Sequence, residues 1–311
     1  VRKSLGMGNS SGIFHLTDAG RSTTREHLEN NQYVGPVPVP LEQYVEMVRR
    51  QKLKNNWLTP ETLKQAYSHL VVKQDILAKI GPAVNSHKSF LIYGQPGNGK
   101  TALAEALFNV DTAPIYMPYA IECQGNIIQV FDPIYHQKLD DDEPTILSLR
   151  EDSGYDHRWF RCKRPFIVTG GELNMGMLDL SFNSVSKVYD APFQVKANNG
   201  IYLIDDFGRQ KVTPAEVLNR WIVPMERHVD YLSFETGGKM TVPFEAFLIF
   251  STNLQPENLG DEAFLRRIPN KIQVNHATEQ QFKDIFLREV SSPGRQLRGV
   301  VHLENILELL L

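Results

Sequence analysis

Apolar residues along this chain gather in short runs that stop abruptly at glycine-rich or charged segments. Phe90-Leu91-Ile92-Tyr93, Gly200 to Ile204 and Phe247 to Phe250 have the length and continuous apolar character of strands buried on both faces. Ala113 to Met117 is a further strand candidate. Tyr231-Leu232-Ser233-Phe234 and Met240-Thr241-Val242-Pro243-Phe244, split by Glu235-Thr236-Gly237-Gly238-Lys239, predict a hairpin. Between these runs the spacing turns helical. Leu41 to Val84 reads as helix, with Thr59-Pro60-Glu61-Thr62 as an internal start; Ala102 to Phe108 and Gln124 to Asp132 also read as helix. Thr213-Pro214-Ala215-Glu216 is a capping box opening a helix through Trp221, which Pro224 should kink or end. His276 to Leu311 is helical, with Thr278 capping a first helix and Ser291-Ser292-Pro293-Gly294 turning into a second.

The N-terminus follows a different pattern. Val1 to Lys3 and Gly12 to Leu16 predict two short strands around the turn Gly6 to Ser11, followed by a polar helix in which Thr23 and Glu26 have capping-box spacing. Alternate prolines in Val34-Gly35-Pro36-Val37-Pro38-Val39-Pro40 force an extended, semi-rigid connector and mark a boundary. Four regions follow: a partial segment over 1–33, the connector and helices over 34–70, an α/β core over 71–275, and a helical lid over 276–311.

Composition narrows the class. At 311 residues with 41% hydrophobic and 22% charged residues the chain is ordinary globular material, with room for one large domain and one small one. A net charge of −3 gives no global basic surface for non-specific nucleic-acid binding. Cys123 and Cys162 fit no metal spacing, which predicts reduced thiols in a cytoplasmic protein. No apolar run reaches the length of a membrane span, and no signal-peptide pattern is present. The start at Val1 rather than Met, and the end inside the apolar run 307–311, predict that both ends are truncated.

Candidate chemistry is concentrated at the ends of the apolar runs. Gly94-Gln95-Pro96-Gly97-Asn98-Gly99-Lys100-Thr101 fits the phosphate-loop pattern at every fixed position, between a strand and a helix that Ala102 continues. Its glycines let backbone N–H groups turn toward a polyphosphate, and the helix presents its positive dipole end to the same anion. Lys100 would reach the β- and γ-phosphates, and the Thr101 hydroxyl would ligate Mg²⁺. Ile201 to Asp206 predicts a buried strand delivering two carboxylates to the same crevice: Asp205 for Mg²⁺, Asp206 to polarise water. Asn253, after the Phe247 run, can orient that water. Asp205-x-x-Gly208 also fits a GTPase pattern, but Asn270-Lys271-Ile272-Gln273 lacks the aspartate a guanine motif needs. Asp261 to Ile268 brings Arg266 and Arg267 to a short helix end, as a phosphate-directed finger or as surface ion pairs. Val71 and Val72 would flank an adenine ring or are plain core valines. Asp140-Asp141-Asp142-Glu143 reads as a solvated acidic loop, and His136, His157 and His228 as surface or satisfied polar residues.

In this order the motifs resemble those of the AAA+ ATPases, over roughly Val71 to the C-terminus. The resemblance assigns Walker A to Gly94–Thr101, Walker B to Ile201–Asp206, sensor 1 to Asn253 and the arginine-finger region to Arg266-Arg267; Asp206 stands where such sites usually carry Glu. Leu91 to Thr101, Val168-Thr169-Gly170-Gly171-Glu172-Leu173, Ala197 to Gln210 and Asn219 to Pro224 are similar to phrases in a bacterial group labelled predicted ATPases with chaperone activity, associated with Flp pilus assembly. The segment Arg164 to Val195 and the hairpin before Asn253 resemble insertions of the MoxR, magnesium-chelatase and enhancer-activator branch. The N-terminal segment resembles the end of a winged-helix domain, which opens a DNA-docking role beside a protein-docking or vestigial one. The resemblance implies a P-loop parallel sheet flanked by helices, ATP and ADP as ligands with Mg²⁺, a homo-oligomeric ring (a hexamer), and a protein client. A DNA-associated regulator and a non-hydrolysing scaffold remain as alternatives. Relatives carry a sensor 2 arginine in the lid where this chain reads His302-Leu303-Glu304-Asn305, and Glu304 cannot donate to phosphate; Arg295 or Arg298 could substitute.

Overall fold

The computed structural model describes residues 2–4, 13–15, 17–53, 57–110, 112–139, 156–260 and 265–291. In chain order, a hairpin of β1 (Arg2–Ser4) and β2 (Ile13–His15) precedes α1 (Asp18–Asn30). Then come β3 (Val39–Pro40), α2 (Leu41–Arg50), α3 (Pro60–Ala66) and α4 (Gln74–Asn85). Next are β4 (Phe90–Tyr93), α5 (Lys100–Glu105), β5 (Ile115–Pro118), β6 (Ala120–Cys123) and β7 (Asn126–Gln129). The middle of the chain gives β8 (Trp159–Cys162), β9 (Phe166–Thr169), β10 (Ser181–Asn183), β11 (Val188–Asp190), α6 (Phe193–Lys196) and β12 (Ile201–Ile204). It closes with α7 (Pro214–Arg227), β13 (Val229–Ser233), β14 (Lys239–Pro243), β15 (Phe247–Thr252), β16 (Asn270–Gln273) and α8 (Glu279–Ser291).

The central layer is a parallel sheet in the order β16-β4-β15-β12-β9. Its inner strands β4 and β12, and β15 up to Phe250, are apolar at every position because both faces are covered, and the two-residue period sorts their side chains. Phe90, Ile92, Leu203 and Ile249 pack on one face against α3, α4 and α5. Leu91, Tyr202, Ile204, Leu248 and Phe250 pack on the other with Val217, Leu218 and Trp221 of α7. The chain is thus an α/β protein with a parallel sheet flanked by helices.

Beside it lies a second sheet, β10-β11-β7-β6-β3, of mixed direction. Its core, which includes Val39, Tyr44, Ile121, Ile128 and Tyr189, also takes up residues of the ribbon β5-β8 and of the hairpin β13-β14. Two buried amides join this layer to the start of β12. Asn198 Nδ2 donates to the Tyr44 hydroxyl (2.7 Å) and to the Pro243 carbonyl (3.0 Å), while Asn199 Nδ2 donates to the Val48 carbonyl (3.0 Å).

Several local expectations are corrected. The helix expected over Gln124 to Asp132 is strand β7: Gln124 and Gly125 both take positive φ, 53° and 78°, and make a two-residue turn that folds β6 onto β7. Helix α1 starts at Asp18 rather than near Thr23. Thr17 Oγ1 accepts from the Gly20 amide at 3.1 Å, and Thr23 lies mid-helix with its hydroxyl on the Ala19 carbonyl. Pro224 does not end α7, which runs on to Arg227; this close to the C-terminus proline removes little of the hydrogen-bond ladder, and His228 closes the helix in the left-handed conformation. The proline connector is not free of the fold, since Val39 is buried and β3 pairs with β6. The helix starts at Thr59 and Thr278, the capping box at Thr213 and the hairpin β13-β14 lie where expected. The acidic run Asp140 to Glu143, the stretch Asp261 to Phe264, and Arg295, Arg298 and Glu304 lie outside the described residues.

Candidate functional site

Strands β4, β15 and β12 run parallel and in register, so the residues that follow them emerge together at one sheet edge. Gly94 leaves β4, Asp205 leaves β12, and Asn253 leaves β15 between them. Gly94 tolerates no side chain: an added Cβ would stand 2.1 Å from the Val274 carbonyl oxygen. Gly97 and Gly99 take φ of +80° and +77° with open space around them, so the loop curves without occupying its own hollow. Gln95, Pro96 and Gly97 are exposed, Asn98 Nδ2 ties the loop to the Val274 carbonyl (2.9 Å), and Ala102 lines the adjoining cleft.

Lys100 is the buried cation of the site, with 7% exposure. Its Nζ donates to the Gln95 carbonyl (2.9 Å) and to Asn253 Oδ1 (2.6 Å). Asn253 Nδ2 in turn donates to Asp206 Oδ1 (3.0 Å), so one amide links ammonium to carboxylate. Burial holds the Lys100 pKa below its ordinary value, and the nearby carboxylates of Asp206 and Asp205 offset this only in part. Thr101 Oγ1 donates to Asp205 Oδ2 at 2.9 Å. Asp206 has left-handed backbone, φ +50°, an uncommon conformation that aspartate tolerates better than most residues.

This donor set fits a magnesium–polyphosphate ligand. A hydroxyl and a carboxylate oxygen stand side by side, both hard ligands, and no group of three or more His, Cys, Asp or Glu residues that could cage a metal exists among the described residues. Mg²⁺ is commonly held this way, by one or two protein oxygens with water and substrate phosphate completing the shell. Next to the loop lies a cleft of 330 Å³, with Val71, Val72, Ile76, Val274 and Ile285 in its walls beside charged residues such as Lys73 and Asp75.

Arg266 and Arg267 are not brought to this crevice. Arg266 is exposed, and Arg267 Nε donates to Glu226 Oε1 (3.0 Å). The Arg267 carbonyl accepts from Ser89 Oγ (3.2 Å), just before β4 begins, which puts both arginines at the sheet edge opposite the loop. His136 is a satisfied core residue, bonded to the Asp132 amide and the Lys196 carbonyl, and Cys123 and Cys162 are buried free thiols. Burial pushes the Cys162 thiol up to about 12.

Two contributors escaped the sequence reading. Gln210 braces Asp205: its Nε2 donates to the Asp205 carbonyl (2.8 Å) and its Oε1 accepts from the Gly208 amide (2.7 Å). Arg288 of α8 lines the cleft beside Gly97 and Gly99, together with Gln281 and Ile285. Their spacing of four and three residues marks one helix face, a signal present in the sequence.

No protein-family model matches the chain, and no curated protein matches it. Among solved structures it is similar to the BchI–BchD complex of magnesium chelatase, with TM-score 0.46 and 16% identity over 79% of this chain and 70% of that one. It is also similar to NtrX from Brucella abortus: TM-score 0.41 and 14% identity for the ADP complex, 0.40 and 12% for the ATP complex. Those alignments cover 74% and 93% of this chain but 44% and 49% of the NtrX chains, so the chain spans about half their length or less. Likenesses this distant carry no argument, and both the fold and the chemistry rest on the chain's own geometry. Among the described residues no helix is long and apolar enough to cross a membrane.

Proposed function

We propose that the chain is an ATP hydrolase of the AAA+ type. The observation that carries this reading is the bonded cluster Lys100–Asn253–Asp206 beside Thr101–Asp205, at the ends of three adjacent parallel strands. In this reading the loop amides and Lys100 hold the β- and γ-phosphates. Thr101 and Asp205 would hold Mg²⁺, which when bound neutralises phosphate charge. Asn253 and Asp206 orient water for attack on the γ-phosphorus; the bond to the bridging oxygen breaks, ADP leaves, and Asp206 takes the proton. Val71 and Val72 flank the base.

The placement of Arg266 and Arg267 at the far edge supports action in trans, on the nucleotide of a neighbouring copy. Copies so joined make a head-to-tail contact, which closes as a ring, proposed to be a hexamer in the cytoplasm. Nucleotide-driven movement of the lid and of the hairpin β13-β14 would remodel a protein client, in pilus or secretion assembly.

The test is phosphate release together with binding of a fluorescent ATP analogue. Lys100→Ala should lose both. Asp206→Asn should bind within threefold of wild type while releasing phosphate about 100-fold more slowly or worse. Wild-type turnover in Asp206→Asn would remove the hydrolase reading. The double variant Arg266→Ala/Arg267→Ala should bind nucleotide and fail to turn it over.

A further inference from the structure

The sheet edge opposite the phosphate loop carries a cavity of 510 Å³, formed where β9, β12 and β15 begin and where α4 ends. Its walls are largely apolar, with Trp57 and Phe108 among them, and its cations are Arg161, Lys163 and Arg164. No carboxylate lines it among the described residues.

Polar satisfaction fails here more than elsewhere. Seven buried side-chain polar atoms lack a partner among the described residues, and four of them belong to residues lining this one cavity: Trp57 Nε1, His87 Nε2, Arg164 Nε and Asn199 Oδ1. Buried polar groups are ordinarily paired, so a cluster of orphans around a hollow marks a place where something else supplies the partners. Asn199 is 5% exposed and held by its own amide nitrogen, so its oxygen cannot swing elsewhere without breaking the bond to Val48. Among the described residues the Arg164 guanidinium meets only neutral oxygens, the carbonyls of Asn199 (2.7 Å) and Gln51 (2.9 Å). Burial lowers its pKa to about 10, which leaves it cationic at neutral pH without a counter-ion among the described residues.

Water would satisfy the donors, but it explains neither the apolar walls nor the Arg164 charge, which has no counter-ion among the described residues. Volume, aromatic lining and charge together suit a small molecule. We propose that this cavity binds a small anionic ligand with a planar apolar body, its charge facing Lys163 and Arg164 and its ring against Trp57 and Phe108. The proposal is independent of the nucleotide site, from which the length of the central strands separates it.

The test uses 8-anilinonaphthalene-1-sulfonate, which has this shape and charge. Titration of the full chain should show one saturable site, with energy transfer that falls in Trp57→Phe. Lys163→Glu changes an exposed side chain and should leave the melting temperature unchanged while weakening the dissociation constant tenfold or more. Phe108→Glu, at a side chain that is already 42% exposed, should do the same. Lys100→Ala should leave the titration as it is. Unchanged affinity in both cavity variants, or weakening by Lys100→Ala alone, would overturn the proposal.

Discussion

Gly94 shows how much one missing methyl group can hold. Its Cα lies so close to Val274 that an alanine Cβ would come within 2.1 Å of the carbonyl oxygen, and its φ of +152° already disfavours a side chain. Gly94→Ala must therefore push β4 and β16 apart at the mouth of the loop. The expected cost is about 3 kcal/mol or more in denaturant unfolding, with loss of analogue binding. A variant as stable as wild type with intact binding would show that the loop is not fixed by this contact. The loop and the two aspartates were legible because their residue types are dictated by local chemistry. Gln210 and the orphaned Asn199 were not, since each depends on surroundings that only the folded chain supplies.

Elements were legible in proportion to how strictly their period was enforced. Strands β4, β12 and β15 and the capped helices sit where the pattern put them, because double-sided burial and cap chemistry are local rules; the edge strands β9 and β16 were not expected. The second sheet was missed: its strands are short, its pairings join residues far apart, and Asn126 to Gln129 depends on a turn that overrides helical composition. Helix α7 is pinned at its start and at its middle, which separates two kinds of stabilisation. At its start Thr213 caps the first turn. Further along, Arg220 grips Asp230 through two nitrogens (2.6 and 3.2 Å), where Asp230 is fully buried and also accepts from Gln194 (3.0 Å). Removing a cap costs about 1 kcal/mol, whereas stranding a buried carboxylate costs about 3–5 kcal/mol. Arg220→Ala should thus shift the urea midpoint several times further than Thr213→Ala. Equal shifts would mean that Gln194 and the Tyr231 amide (2.8 Å) satisfy Asp230 between them.

At the scale of the whole molecule the parallel sheet gives the chain a polarity. Every central strand points toward the phosphate loop, and the ends they leave behind carry Arg266, Arg267 and the second cavity. His87 lines both that cavity and the arginine groove, so an occupant of the first abuts the second. The polarity has a consequence for mixtures. Under the proposed reading a Lys100→Ala chain is dead yet keeps its arginines, and the Arg266→Ala/Arg267→Ala chain is dead yet keeps its loop. Mixed, the two should complement one another, the intact edge of each serving the other, with turnover rising as both concentrations rise together. If two silent proteins stay silent when combined, the crevice would have to be complete within one chain, and the arginines would be there for something else.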